Sequence, residues 1–203
     1  MRKVFHLGLS GIREIPEIYL VTIGCFFGSR VEIPEVNRLT PKGAKVLSVL
    51  DAELALNGII ELPLEIAYIL SEHTGTEYEI KYEEQINECD SVMITETRVF
   101  DALELNGILN LDAETATALA RHRGNTLRLN GITSLSDDAA EALSHYEGCL
   151  DLLGLQAISP RGAQFLLNAT GDNLNVNFGD NPPDLLAQIK GSSAKFVGEL
   201  RLR

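Results

Sequence analysis

Residues 127–148 read LRLNGITSLSDDAAEALSHYEG, a stretch that passes through a strand, a turn and a helix. Leu127 and Leu129 alternate with polar Arg128, the period-two pattern of a short half-buried strand. Asn130-Gly131 follows, a pair suited to positive backbone angles, so the chain is expected to turn there. Ser136 is a good helix N-cap, and Ala140 and Leu143 share one face of the helix that follows. Gly148 is placed to end it.

Numbering this stretch from Leu127 as position 1 gives a frame that fits almost everywhere else. Position 1 falls on Leu7, Val31, Leu54, Tyr78, Leu103, Leu127, Leu150 and Leu174, at steps of 23 to 25 residues. Position 3 holds Leu9, Ile33, Leu56, Ile80, Leu105, Leu129, Leu152 and Val176, all compatible with a strand. Position 9 is apolar until Pro182 and position 17 until Lys190. Position 14 is small at Ala44, Ala67, Ser91, Ala116, Ala140, Ala163 and Ala187. The unit from Tyr78 is worn, with Tyr82 and Glu83 where others have glycine and an apolar residue. A period of this length predicts a single stacked domain over 1–203, a solenoid whose units start near 7, 31, 54, 78, 103, 127, 150 and 174. Leu200 and Leu202 predict a terminal strand near 200–203. The ending at GELRLR also suggests an alternative, a structural fragment of a longer repeat protein with no binding site of its own.

Stacking explains the pattern, because one unit cannot bury its own apolar face. Strands lie about 4.8 Å apart, whereas a helix with its side chains is about 10 Å wide. A helix layer behind a strand layer must then curve the stack, with strands on the inner face. The expected fold is α/β, a curved right-handed β/α solenoid with a parallel sheet on the concave face and helices on the convex face. Leu129→Ala is expected to cost about 2–5 kcal/mol, and replacing the outward-facing Arg128 little.

The units LELNGILNLDAETATALARHRG, from Leu103, and LRLNGITSLSDDAAEALSHYEG resemble a bacterial leucine-rich-repeat-like pattern. That pattern reads L-x-L-x-G-L-x-x-L-S-x-x-A-A-x-A-L-x-x-H-x-G. The resemblance covers nearly the whole chain and implies a solenoid that works by binding proteins. The common repeat of that family has Leu-x-Leu-x-x-Asn. Here Asn57, Asn106 and Asn130 directly follow the second strand leucine, and Ile59, Ile108 and Ile132 stand in the usual asparagine place. The buried asparagine ladder of that family is therefore not expected, and the Asn-Gly pairs are assigned to the turn.

Composition narrows the function. Seventeen Lys plus Arg against 29 Asp plus Glu leave a net charge of -12, the opposite of a nucleic-acid footprint. Cys25, Cys89 and Cys149 are odd in number and widely spaced, neither a disulfide framework nor a zinc site, and read as buried reduced thiols. Arg13 and Glu14 interrupt any signal-peptide core, and IYLVTIGCFF is too short to cross a bilayer, so a cytoplasmic protein is expected. No phosphate loop, His-Glu-x-x-His or Gly-x-Ser-x-Gly occurs, and no enzyme, cofactor or metal is expected. His73 and His122 share position 20, with His145 one place earlier; a surface role at helix C-termini accounts for them better than a metal column broken at Thr97. Asp137 and Asp138 suit the first turn of a helix rather than acid–base chemistry.

Chemistry is better sought on the inner face, at the residue before position 1 and at positions 2 and 4. Arg30 is one such residue. Glu32, Glu53, Glu77, Glu79, Lys81, Glu104, Arg128 and Asp151 form the candidate binding set. Glu53, Glu77, Glu79 and Glu104 are expected on neighbouring strands, where like charges repel. Such a face points to a non-catalytic scaffold for a protein partner of basic character.

Overall fold

A computed structural model describes residues 6–85, 91–169 and 173–176. Strand and helix alternate from the start: β1 (His6–Gly8), α1 (Glu17–Gly24), β2 (Arg30–Glu32), α2 (Pro41–Ser48), β3 (Glu53–Ala55) and α3 (Leu64–Ser71). A long antiparallel ribbon intervenes, β4 (Thr76–Gln85) with β5 (Ser91–Phe100). Alternation then resumes through β6 (Ala102–Glu104), α4 (Ala113–Leu119), β7 (Thr126–Arg128), β8 (Ser134–Leu135) and α5 (Asp137–Leu143). It continues with β9 (Cys149–Leu152), β10 (Ala157–Ile158), α6 (Pro160–Leu167) and β11 (Asn173–Val176).

The result is an α/β fold built on a seven-stranded parallel sheet, in the order β1-β2-β3-β6-β7-β9-β11. Equivalent frame positions pair: Leu7 with Val31, Val31 with Leu54, Leu54 with Leu103, Leu103 with Leu127, Leu127 with Leu150, and Leu150 with Leu174. Each helix packs beside its neighbour, from α1 on α2 to α5 on α6. Between the layers lies one core. Leu54, Leu56, Leu103, Leu105, Leu127 and Leu129 supply its strand side, and Leu47, Leu70, Leu119 and Leu143 its helix side, all fully buried. The alanines at position 14, Ala44, Ala67, Ala116, Ala140 and Ala163, are buried where each helix closes on the sheet. Capping follows the side chains available. Thr40, Asp112, Ser136 and Ser159 accept a backbone N–H three residues on, while Pro16 and Pro63 begin α1 and α3 without a side-chain cap. Asp137 and Asp138 lie in the first turn of α5.

The unit expected from Tyr78 does not enter the sheet. β3 pairs directly with β6, the Leu56 N–H donating to the Glu104 carbonyl (2.9 Å), and α3 packs on α4. Residues 76–85 and 91–100 form the ribbon instead. Every second residue of TEYEIKYEEQ is charged or polar around Tyr and Ile, and SVMITETRVF is rich in Val, Ile and Thr, which suits ten-residue strands. Tyr82 is the clearest obstacle to stacking. At the same frame position, a Cβ on Gly107 would lie 2.2 Å from the Asn57 carbonyl oxygen of the preceding unit.

The Asn-Gly pairs do turn the chain, with the Ile59, Ile108 and Ile132 N–H groups donating to the Leu56, Leu105 and Leu129 carbonyls, but without the positive backbone angles expected of them. Positive φ occurs only at Gly11 and Gly75 among the described residues. Gly58, Gly107, Gly131 and Gly154 instead let neighbouring loops close in: a Cβ there would sit 1.9–2.5 Å from a carbonyl oxygen of the unit before. The asparagines bridge the same gap. Asn57 Oδ1 accepts from the Asn106 N–H (3.0 Å), Asn106 Oδ1 from Asn130 (2.9 Å), and Asn130 Oδ1 from Leu153 (2.9 Å). An asparagine series therefore does join the units, one position after the second strand leucine. The thiols differ from expectation too, since Cys25 is exposed and Cys149 partly so; Cys89 lies outside the described residues, as does the terminal strand expected near 200–203.

Candidate functional site

The open face of the sheet presents two columns of side chains, at position 2 and at the residue before position 1. Strand alternation places them there, because positions 1 and 3 of the same strands are buried on the other face. Glu32, Ala55, Glu104, Arg128, Asp151 and Asn175 follow one another along the first column, and His6, Arg30 and Glu53 begin the second.

These groups form one ion-pair network. Arg30 grips Glu104 with two hydrogen bonds, Nη1 to Oε1 (2.8 Å) and Nη2 to Oε2 (2.9 Å), reaching across the whole of β3. The path is open because Ala55, between Glu32 and Glu104, is too small to block it. Arg30 Nη1 also donates to Glu53 Oε1 (2.5 Å). From the other side, Arg128 Nη1 donates to Glu53 Oε1 (2.8 Å) and Glu104 Oε1 (2.5 Å), and its Nε to Asp151 Oδ2 (3.2 Å). Asn175 Nδ2 extends the chain by donating to Asp151 Oδ1 (2.6 Å), and His6 lies 3.2 Å from Glu32 at the opposite end. Glu104 is buried at the centre, Glu53 and Asp151 are largely covered, and Glu32 is a third exposed.

Charge settles unevenly over this arrangement. Burial opposes ionisation of Glu104, but the Arg30 and Arg128 hydrogen bonds prevail and hold its carboxyl at about 2. Burial and the Glu104 neighbour push Glu53 upward. The two carboxyls thus titrate as a pair, with the first proton shared toward Glu53. Both guanidiniums are held more firmly protonated than usual, with Glu104 the main support of each against burial. Burial pushes the Cys149 thiol up to about 11, so its thiolate is scarce near neutrality.

Of the candidate set, Glu32, Glu53, Glu104, Arg128 and Asp151 come together on this face. Glu77, Glu79 and Lys81 do not; they lie on β4 of the ribbon, and Glu77 is exposed. The expected acidic repulsion is accordingly replaced by carboxylates alternating with arginines. Arg128, expected to matter little, bridges three of them. Arg30, outside the candidate set, is the central partner of Glu104; its signal in the sequence was the small Ala55 on the strand between the arginine and the glutamate.

A second cluster lies inside the protein. His73, His122 and Tyr146 share position 20, and because the ribbon leaves the stack, the first two become direct neighbours. Their rings are parallel, 5.7 Å between centroids, and Tyr146 stacks on His122 at 6.1 Å. Both imidazoles are buried, not at the surface as the sequence suggested, whereas His145 is exposed. His73 Nε2 is 2.7 Å from the Ala52 carbonyl, so that nitrogen carries the proton of the neutral ring. Tyr146 Oη donates to the Gly124 carbonyl (2.7 Å). Neither ring nitrogen of His122 has a partner at hydrogen-bond geometry; the nearby Asp101, Thr126 and Ser71 backbones only partly offset burial and the His73 neighbour, which lower its pKa to about 3. Burial lowers His73 as well.

No model of a protein family matches the chain, and no curated protein does either. Among the described residues, no helix is long and apolar enough to cross a membrane.

Proposed function

We propose that the chain is a leucine-rich-repeat-like β/α solenoid, curved with its sheet on the concave side, and that it serves as a non-catalytic scaffold for a protein partner. The open face is the binding surface. Support comes from one observation above all: a continuous polar strip of charged side chains crosses five strands, from Glu32 to Asp151, on the side of the sheet without helices. Four carboxylates, Glu32, Glu53, Glu104 and Asp151, meet two guanidiniums, Arg30 and Arg128, an excess of two negative charges (4 − 2) that favours a basic segment. Prepaired charges need little reordering when a partner docks, which lowers the entropy opposing binding. Widely spaced cysteines favour a reducing compartment, and the reading places the protein in the cytoplasm.

Capture from lysate of the source cells tests this. The immobilised protein is compared with a Glu32→Lys/Asp151→Lys variant and with a Glu65→Lys/Glu114→Lys control on the helix side. A partner held by the parent and the control and weakened about tenfold or more by the first variant, a change of about 1.4 kcal/mol, supports the open-face site. A partner retained equally by all three removes it.

A further inference from the structure

The outer surface of α1 differs from that of every later helix. Frame positions 12, 15, 19 and 21 of α1 to α6 and their flanks point away from the sheet and are exposed at every described residue. In α2 and its flank they are Lys42, Lys45, Val49 and Asp51; in α4 they are Glu114, Thr117, Arg121 and Arg123; in α5, Asp138, Glu141, His145 and Glu147. In the first unit the same positions are Ile18, Val21, Cys25 and Phe27, and Ile18, Val21 and Phe27 are 77%, 75% and 81% exposed. A helix apolar all round belongs in an interior, yet α1 buries only Leu20 and Ile23.

An additional unit stacked before β1 would not cover this surface. It would cover position 13, where Gly43, Ile66, Thr115, Ala139 and Gly162 are buried between helices and where Tyr19 stands 51% exposed. A lipid surface is a poor fit, because interfacial helices use Lys and Arg beside their apolar face, and EIYLVTIG contains neither. A self-complementary occupant suits a patch with no charge of its own. Ile18, Val21 and Cys25 are spaced three and four residues apart, the seam by which two helices interdigitate. At roughly 150–250 Å² for a large side chain, the exposed parts of Ile18, Val21 and Phe27 amount to on the order of 400 Å², about half of the ~800 Å² per partner in a standard interface.

We propose that α1 is a self-association site, where two copies of the chain pack α1 against α1 in antiparallel fashion about a two-fold axis near Val21. The antiparallel sense keeps the first-turn Glu17 of each copy away from its equivalent and opposes the two helix dipoles. Val21 then meets Val21 of the second copy, and Ile18 meets Cys25.

Light scattering on the full chain, over a wide concentration range, reads the mass. The expected result is a dimer that Val21→Glu converts to a monomer with an unchanged circular dichroism spectrum, since the side chain is exposed. Thr117→Glu, at the equivalent position of α4, should leave the dimer intact. In a Cys25→Ser background, Val21→Cys should give a disulfide-linked dimer under mild oxidation that the background alone does not. A monomer at all concentrations overturns the proposal, as does a dimer indifferent to Val21→Glu. Co-sedimentation of monomer with phosphatidylcholine vesicles, abolished by Val21→Glu, would assign the patch to a membrane and overturn it equally. Wild-type cross-linking through Cys25 without cross-linking at Val21→Cys would exclude the antiparallel arrangement.

Discussion

At the scale of single residues, the contacts between units set the strictest demands. A Cβ on Gly131 would lie 2.0 Å from the Asn106 carbonyl oxygen, so Gly131→Ala forces the loops apart. We expect a loss of about 2–4 kcal/mol in denaturant unfolding, near the upper range of overpacking. Gly24, at the end of α1, offers a control: a Cβ there meets only Val46 Cγ1 at 3.4 Å, and Gly24→Ala should be neutral or slightly stabilising. Equal losses for the two would contradict the close approach. The recurrence of Asn-Gly and its turn were legible in the sequence, but its contact with the next unit was not. Turn chemistry belongs to one unit, whereas contact with a neighbour requires knowing which unit is the neighbour. The imidazoles make a second case. Their folded pKa values are depressed, so below about 6.5 the unfolded chain takes up protons that the folded protein refuses. Stability should then fall as pH drops from 7 to 5, by up to about 1.4 kcal/mol per pH unit for each imidazole. His122→Leu should flatten that slope, measured as denaturation midpoints at the two pH values. A parent protein equally stable at both would mean that the rings are not held neutral.

Among the elements, the ribbon is the one the sequence disguised. Leu54 and Leu103 are 49 residues apart, two steps of the frame (24 + 25), and Tyr78 and Ile80 fall where strand residues are due. Periodicity therefore counted a unit where the chain departs from the sheet and returns. The departure is local: Gly75, with φ +61, packs its backbone against Phe100 and Asp101, and across the junction the Arg123 N–H donates to the Ser71 carbonyl (3.1 Å). Residues 76–100 contribute no described side chain to the buried core. Replacing them with a short Gly-Ser linker should leave one cooperative transition, with a melting temperature within about 4 °C of the parent, the shift of roughly 1 kcal/mol in a domain of this size. Loss of cooperativity would show that the ribbon supports the stack. The remaining strands and helices were readable because each depends on its own period and cap. Seven-residue α5 needs little beyond Ser136, Ala140 and Leu143.

Over the whole molecule, the open face shows where reading by composition stops. Glu53 and Glu104 were visible as an acidic centre, but their pairing with Arg30 runs through a strand order that omits the ribbon. Arg30 and Glu104 are 74 residues apart in sequence. Because Arg128 bridges Glu53, Glu104 and Asp151, Arg128→Met should cost about 2 kcal/mol, as for loss of charge-assisted hydrogen bonds, and should raise the Glu104 carboxyl above about 2. Carbon-detected NMR titration checks the second effect, and an unmoved carboxyl would deny Arg128 its part. The asparagine bridges carry a last consequence. The segment from Leu103 to Thr126 receives an amide oxygen from Asn57 and offers one through Asn106, so both its sides speak the same chemistry. It is an interchangeable part: a tandem copy spliced after itself would find both of its joints already made, and the protein would lengthen by about 4.8 Å along the sheet for each insertion without a new fold having to be invented.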